Sequence, residues 1–390
     1  MKDFRPISCC NTLYKIIAKI IANRIKPFLP DIISPSQSAF VAGRCTSDNI
    51  LLVQELMRNY HKDASCSSSF KILAKHIKDS PSFKFHWRCD KIKLSHLCFT
   101  DDLIMLCHGS LFSARVVKAA LDGFSLLSGL YANHAKSNIF TSGVSPTINQ
   151  QLINLFGYTV CSLPIHYLSI PIISFRLRLR DCSPLVDRVS GRLASWLNRG
   201  LSYTGRYQLI VSVLASLHVF WASYLCLLKK VLNIIEQKFR SFLWKEIEGD
   251  SNGAKICWFD VCLPKKEGGI GINDISSWNK ALMIMHIWIL SYGTNNLWSS
   301  WIKAYHLKDS NLWEAKSPCT CSWNWIKLLH LRPLVRPLIQ HFIGNGSSTS
   351  IWFENWHSDG PLLLKWSSRV VYDSGLPIHA TVGSIVHGDP

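Results

Sequence analysis

Asp101 and Asp102 stand side by side between two short apolar runs, Leu94-Ser95-His96-Leu97-Cys98-Phe99 and Leu103-Ile104-Met105-Leu106-Cys107. Each run has the length and composition of a buried strand. Strand, tight turn and strand put both carboxylates at the tip of a hairpin. Paired carboxylates on a rigid tip suit Mg²⁺, which takes oxygen ligands and keeps positions open for phosphate oxygens. Two such ions can clamp the attacking and leaving oxygens of a phosphoryl transfer. Taken alone, the pair reads more simply as turn chemistry, since Asp favours turns.

The elements around it are mainly helical. From Asn11 to Phe28, Leu13, Ile16, Ile17, Ile20, Ile21 and Ile25 recur at helical spacing until Pro27 and Pro30 stop the helix, with Lys15, Lys19, Arg24 and Lys26 among them. A loop rich in Pro, Ser and Gly covers 30–44. Ser47 or Asp48 can cap a second helix running through Tyr60. Ser113 is the expected cap of a third helix, with Gly129 placed to end it. No clear pattern survives after Leu362.

Composition narrows the partners. The chain of 390 residues has room for two or three domains. Its formal net charge of +18 points to a polyanion, nucleic acid first and a membrane surface second. The 14 Cys are scattered without paired CxxC spacing, so no zinc site is visible. No secretory signal is expected, and free thiols in an intracellular compartment follow. Leu209 to Leu228 lacks charge and is long enough for a bilayer. Ser212, Ser216, His218 and Ser223 interrupt it, and Phe220, Trp221 and Tyr224 sit mid-segment, away from where interfacial anchors belong. A buried helix is expected there, with a membrane anchor as the alternative; no membrane partner is favoured. Fourteen of the 15 Trp lie beyond residue 195, so a domain boundary is placed near 185.

Several blocks occur in a fixed order: Phe4-Arg5-Pro6-Ile7-Ser8 through Tyr14-Lys15-Ile16; Pro35-Ser36-Gln37-Ser38-Ala39-Phe40-Val41 with Gly43-Arg44 and Asp48-Asn49-Ile50; Phe99-Thr100-Asp101-Asp102; Ser128-Gly129-Leu130 with Lys136-Ser137; Leu163-Pro164-Ile165-His166-Tyr167-Leu168; Ser195-Trp196-Leu197 with Gly205-Arg206; Cys262-Leu263-Pro264-Lys265-Lys266-Glu267-Gly268-Gly269; and Trp352-Phe353-Glu354-Asn355-Trp356. Together, from Phe4 to about Pro361, they resemble the reverse transcriptase of plant LINE-type (non-LTR) retrotransposons. The resemblance implies an α+β, mainly helical fold: an incomplete reverse-transcriptase fingers/palm with the Asp-Asp β-hairpin, then a helical thumb and a C-terminal helical region. It implies three parts: a truncated fingers/palm remnant over 1–185, a helical thumb or connection over 186–300, and a Trp-rich region over 301–390 of the kind that precedes a zinc-binding module. Asp101 and Asp102 would be catalytic and hold Mg²⁺. Arg5, Lys15 and Arg44 would lie near template or incoming nucleotide, Lys136 near the triphosphate, and His166 and Tyr167 in the primer grip. The implied partner is an RNA/DNA template-primer, the implied location nuclear; no protein partner is identifiable.

The departures from that pattern are as informative. Polymerase chemistry needs a second carboxylate strand beside the hairpin to share the metals. The family supplies it, with a Gln-Gly loop and a long helix, between the second helix and the hairpin. With Phe83 to Phe99 expected as strands leading into the hairpin, only the 22 residues from His61 to Ser82 remain. A strand, two helices and their loops need about 45 residues. Asp63 sits in a loop composition, Phe70 to Ile77 looks like a surviving helix end, Asp79 and Asp90 lack a strand-to-helix context, and neither Gln37 nor Gln54 precedes Gly. Ser169 stands where the family prefers Gly, which tolerates positive φ. The expectation is a nucleic-acid-binding remnant without polymerase activity. The alternatives are an active RNA-directed DNA polymerase that recruits Asp63 or Asp90, the membrane protein anchored by 209–228, and a gene model missing coding sequence between Lys62 and Ser82.

Overall fold

The computed structural model describes residues 11–58, 83–141, 143–161, 163–197, 200–244, 256–293, 296–308, 310–316 and 321–386. It is mainly helical with small two-stranded sheets. The chain forms two compact units, one of residues 1–49 and 64–160, the other of 50–63 and 161–390. Their boundary after Val160 precedes the change in composition near 185, because β-strands that are poor in Trp already belong to the second unit.

In the first unit, helix α1 spans Thr12–Ile25, and the Asn11 side chain accepts the Tyr14 amide at 2.8 Å. A 3-10 turn over Lys26–Phe28 follows at Pro27, where proline was expected to stop the helix. No residue of α1 is buried; Ile16, Ile17, Ile20, Ile21 and Ile25 each keep about half their surface exposed. The periodicity predicts the helix correctly, but its apolar stripe stays half-exposed and joins no buried core among the described residues. Helix α2, Thr46–Leu56, starts in this unit and continues in the other.

Strands β1, His96–Phe99, and β2, Asp102–Met105, pair antiparallel with Phe99 opposite Asp102 and Leu97 opposite Ile104. The approach to the hairpin differs from expectation. Residues 87–93 form turns, and Phe85 makes only an isolated bridge to Cys107. Local bonds explain this: Cys89 N–H donates to His86 O and Leu94 N–H to Cys89 O, while Lys93 and Asp90 pair at 2.7 Å in solvent. Helix α3, Leu111–Ser128, is capped by Ser110, not Ser113. Ser110 has the extended backbone a cap requires and accepts from the Ser113 amide. Ser113 is instead buried in the first turn, accepting from Lys84 N–H at 3.2 Å. Gly129 ends α3 at φ 69, the left-handed position that favours glycine. Strand β3 (Asn138–Ile139), helix α4 (Pro146–Phe156) and strand β4 (Thr159–Val160), parallel to β3, complete this unit. Its core joins Met105 and Cys107 to Val117, Ala120 and Leu121 of α3 and to Leu152 and Phe156 of α4. Each large side chain fully buried there contributes about 1.5–3 kcal/mol.

The second unit opens with the antiparallel hairpin β5, Ile165–Tyr167, and β6, Ile170–Ile172. Its two-residue turn holds Leu168 at φ 51 and Ser169 at φ 65. The turn therefore demands the backbone that glycine adopts freely and that costs Leu and Ser about 1–2 kcal/mol each. Helices α5 (Ser183–Leu197), α6 (Tyr203–Leu209), α7 (Ala215–Ala222), α8 (Lys229–Trp244), α9 (Ile275–Tyr292) and α10 (Trp323–Val335) follow. A π-helical turn over Ile210–Leu214 joins α6 to α7, and the helix ends at Ala222. The uncharged segment 209–228 is thus only partly helical, and no helix among the described residues is long and apolar enough to cross a membrane.

Trp298, Trp301 and Trp325 are fully buried, which makes core their principal use. Gly269 has no room for a side chain: a Cβ there would lie 2.0 Å from Leu263 O. A buried polar cluster holds the end of α2 in this unit. Glu55 accepts from His306 Nε2 at 3.0 Å and from both the amide and the hydroxyl of Ser322, the cap of α10. A carboxylate at a helix N-terminus is favoured by the amides and dipole it meets. Beyond Leu362, where the sequence shows no pattern, short helices Leu362–Trp366 and Arg369–Ser374 cover a small core of Ile351, Trp352 and Phe353.

Candidate active site at the acidic hairpin

Phe99 and Asp102 are the last facing pair of the hairpin, so Thr100 and Asp101 form its two-residue turn. Thr100 sits at φ 49, a backbone that a β-branched residue resists. Asp101 and Asp102 are both exposed, Asp101 in the turn and Asp102 as the first residue of β2. Behind them the strands are buried: Leu97 and Met105 have no exposed surface. Apolar packing therefore fixes the hairpin while its acidic end meets solvent.

The opposite edge of β1 is occupied. Cys98 N–H donates to Ser36 O at 2.9 Å, and Ser38 N–H donates to Cys98 O at 3.2 Å. Gln37 thereby bridges Cys98 in parallel. Asn49 Nδ2, on the first turn of α2, also donates to Cys98 O at 2.9 Å. Arg44 fastens the loop that makes this edge: its Nη1 donates to Ser34 O (2.6 Å) and Gln37 O (2.9 Å), and its Nη2 to Pro30 O (3.0 Å) and Ile33 O (2.7 Å). Charge-assisted bonds of this kind contribute about 1.5–3 kcal/mol each. Sequence reasoning missed Ser36, Ser38 and Asn49 in this role. Only the Asn in the first turn of an otherwise apolar helix hinted at a buried polar contact.

Next to Asn49, Asp48 is buried, and the Cys45 amide donates to its carboxylate, half of a capping box. Burial outweighs that bond and pushes the Asp48 carboxyl up to about 6. In the turns before the hairpin, burial, with Arg88 and His108 nearby, pushes His86 down to about 4.

The remaining residues singled out in the sequence are spread out. Lys15 lies exposed on α1, and Lys136 is exposed in the turn after α3, its amide donating to Asn133 O. His166 (exposed) and Tyr167 (buried) are consecutive on β5 in the second unit. Asp90 is engaged by Lys93. Arg5, Asp63, Asp79 and the helix end at 70–77 lie outside the described residues. Among the described residues no three of His, Cys, Asp and Glu are grouped to hold a metal ion. Paired exposed carboxylates are of the type that suits Mg²⁺ completed by water or phosphate oxygens; among the described residues no third His, Cys, Asp or Glu joins them.

Comparison with known proteins points to a family for part of the chain. Residues 1–76 match the reverse transcriptase (RNA-dependent DNA polymerase) family. The chain is 32% identical over 197 residues, half of its own length, to an Arabidopsis thaliana protein that carries a ribonuclease H name. It is 23% identical over 145 residues to an uncharacterized mitochondrial protein of the same plant, covering 94% of that protein. It is 44% identical over 57 residues to a 149 kDa protein of the transposon TX1 of Xenopus laevis. The chain spans about a third of the first relative and 4% of the third. It thus carries a reverse-transcriptase match at its N-terminal end and is similar over part of its length to plant and transposon proteins.

Proposed function

We propose that this chain is a remnant of a LINE-type retrotransposon reverse transcriptase that binds RNA or DNA and does not extend a primer. The observation that carries this reading is the state of β1. One outer edge of the hairpin, that of β1, is taken by Ser36-Gln37-Ser38, which bring no carboxylate to it, and among the described residues no third metal-ligating side chain joins the Asp pair. Without a bridging ligand a second ion loses its seat, and deprotonation of the primer hydroxyl loses its driving force. The short interval between α2 and the hairpin, the similarity to a transposon protein and the charge of +18 support the same reading. In this reading Asp101 and Asp102 would hold one Mg²⁺, Lys15 and Lys136 would contact phosphate, and His166 and Tyr167 would be primer-grip residues. Arg44 holds the loop, with most of its donors committed to carbonyls. The test is nucleotide incorporation on an RNA template with a DNA primer and Mg²⁺. Incorporation at background level is expected; incorporation that Asp101→Ala abolishes would overturn the reading in favour of an active polymerase.

A further inference from the structure

We infer that the second unit carries a binding ledge for the phosphate backbone of single-stranded nucleic acid, built from Arg176, Arg178, Lys280 and Lys327 around Trp323. The inference rests on the nucleic-acid reading above and adds where the strand lies. Arg176 Cζ and Lys327 Nζ each sit 4.5 Å from the centre of the Trp323 ring. The two charges are therefore no more than about 9 Å apart. Cys226 N–H donates to Asn324 Oδ1 at 3.2 Å and Leu227 N–H to Asn279 Oδ1 at 3.0 Å, so α10 with Lys327 and α9 with Lys280 meet at the same segment, and Lys280 adds a third cation there. Arg178, exposed two residues beyond Arg176, adds a fourth.

Like charges gathered on one surface repel one another unless an anion lies among them. Among the described residues none of the four has a carboxylate partner. The nearby carboxylate, Asp181, accepts the Arg178 amide at 2.8 Å and faces Arg180 at 3.8 Å. Each cation gains from the indole face, so the ring holds both charges in place without neutralising them. A polyanion supplies what is missing. Phe175, next to Arg176 and 48% exposed, offers a ring on which an unpaired base can stack. That favours a single strand over a duplex, whose bases are already stacked.

The experiment is fluorescence anisotropy of a labelled oligothymidylate with the full chain, titrated between roughly 50 and 200 mM salt. Replacing Arg176, Arg178 and Lys327 together by Gln is expected to weaken binding at low salt. It should also flatten the slope of log K against log salt by about 2, from about 0.7 per phosphate on a single strand. Lys327→Gln alone, a milder change, is expected to flatten it by about 0.7. The charge-preserving set Arg176→Lys, Arg178→Lys, Lys327→Arg should keep the wild-type slope, as should Arg369→Gln, which removes a cation paired with Asp373 elsewhere in the unit. Unchanged slopes in Gln variants that melt like the wild type overturn the ledge and leave the nucleic-acid reading standing. Equal displacement of the probe by polyglutamate, or by duplex DNA, also overturns the ledge. Absence of any binding at low salt overturns both.

Discussion

Asp48 gives the sharpest stability test, because the buried carboxyl titrates in an accessible range. Its ordinary value is 3.8, and burial raises it to about 6 in the folded chain. Between these values the native state holds a proton that the unfolded state has released, so stability falls as pH rises from about 4 to about 6. Above that the native state carries a buried carboxylate whose cost is constant. A shift of this size corresponds to about 3 kcal/mol. Asp48→Asn keeps an oxygen for the Cys45 amide and removes the charge. It is expected to be nearly neutral at pH 4 and to stabilise the protein by up to about 3 kcal/mol at pH 7. Urea denaturation of wild type and variant from pH 4 to pH 7 measures this, and only the difference between them matters, since buried histidines titrate in the same range with the opposite sign. A difference that is flat with pH, or that grows toward acid, refutes the argument that desolvation dominates at this carboxyl.

Other perturbations address separate parts of the account. Ser169→Gly relieves the left-handed backbone of the β5–β6 turn and should raise stability by about 1 kcal/mol, measured as an increase in the urea midpoint at constant slope. Glu55→Ala leaves the Ser322 amide and hydroxyl and His306 Nε2 without their acceptor, and is expected to destabilise by about 3 kcal/mol in the same assay. His218 is buried and held at about 4, so it favours folding only while neutral, and its contribution is lost as pH falls from about 6.5 to 4. In His218→Leu, acid unfolding followed by circular dichroism should therefore be shallower than in the wild type.

What could be read from the sequence was local. The acidic hairpin was legible because two apolar runs of strand length flank a polar turn, and α1 because its apolar residues recur with helical period and Asn and Pro mark its ends. Glycine marked the end of α3, and Ser169 was legible as a misfit because the residue type conflicts with the turn it must make. What escaped depended on contacts between distant residues or on competition between neighbours. Ser110 and Ser113 are equally good caps by type; packing against Lys84 buries Ser113 and leaves the cap to Ser110. Arg44 looked available for an anion, yet four carbonyls of its own loop converge on it. Glu55 lies 267 residues from the Ser322 that it meets, and no periodicity links the two. The occupation of β1 by residues 36–38 was hidden for the same reason: backbone pairing of a loop leaves no trace in side-chain pattern.

The acidic hairpin, with one edge filled by Ser36-Gln37-Ser38, is expected to seat one metal ion and not two. Electron paramagnetic resonance of the full chain with Mn²⁺, template-primer and an incoming nucleotide tests it directly. Paired ions about 3.5–4 Å apart give a coupled spectrum. Isolated Mn²⁺ signals alone are expected; a coupled pair that disappears in Asp101→Ala would show two ions seated at the hairpin and an intact polymerase site.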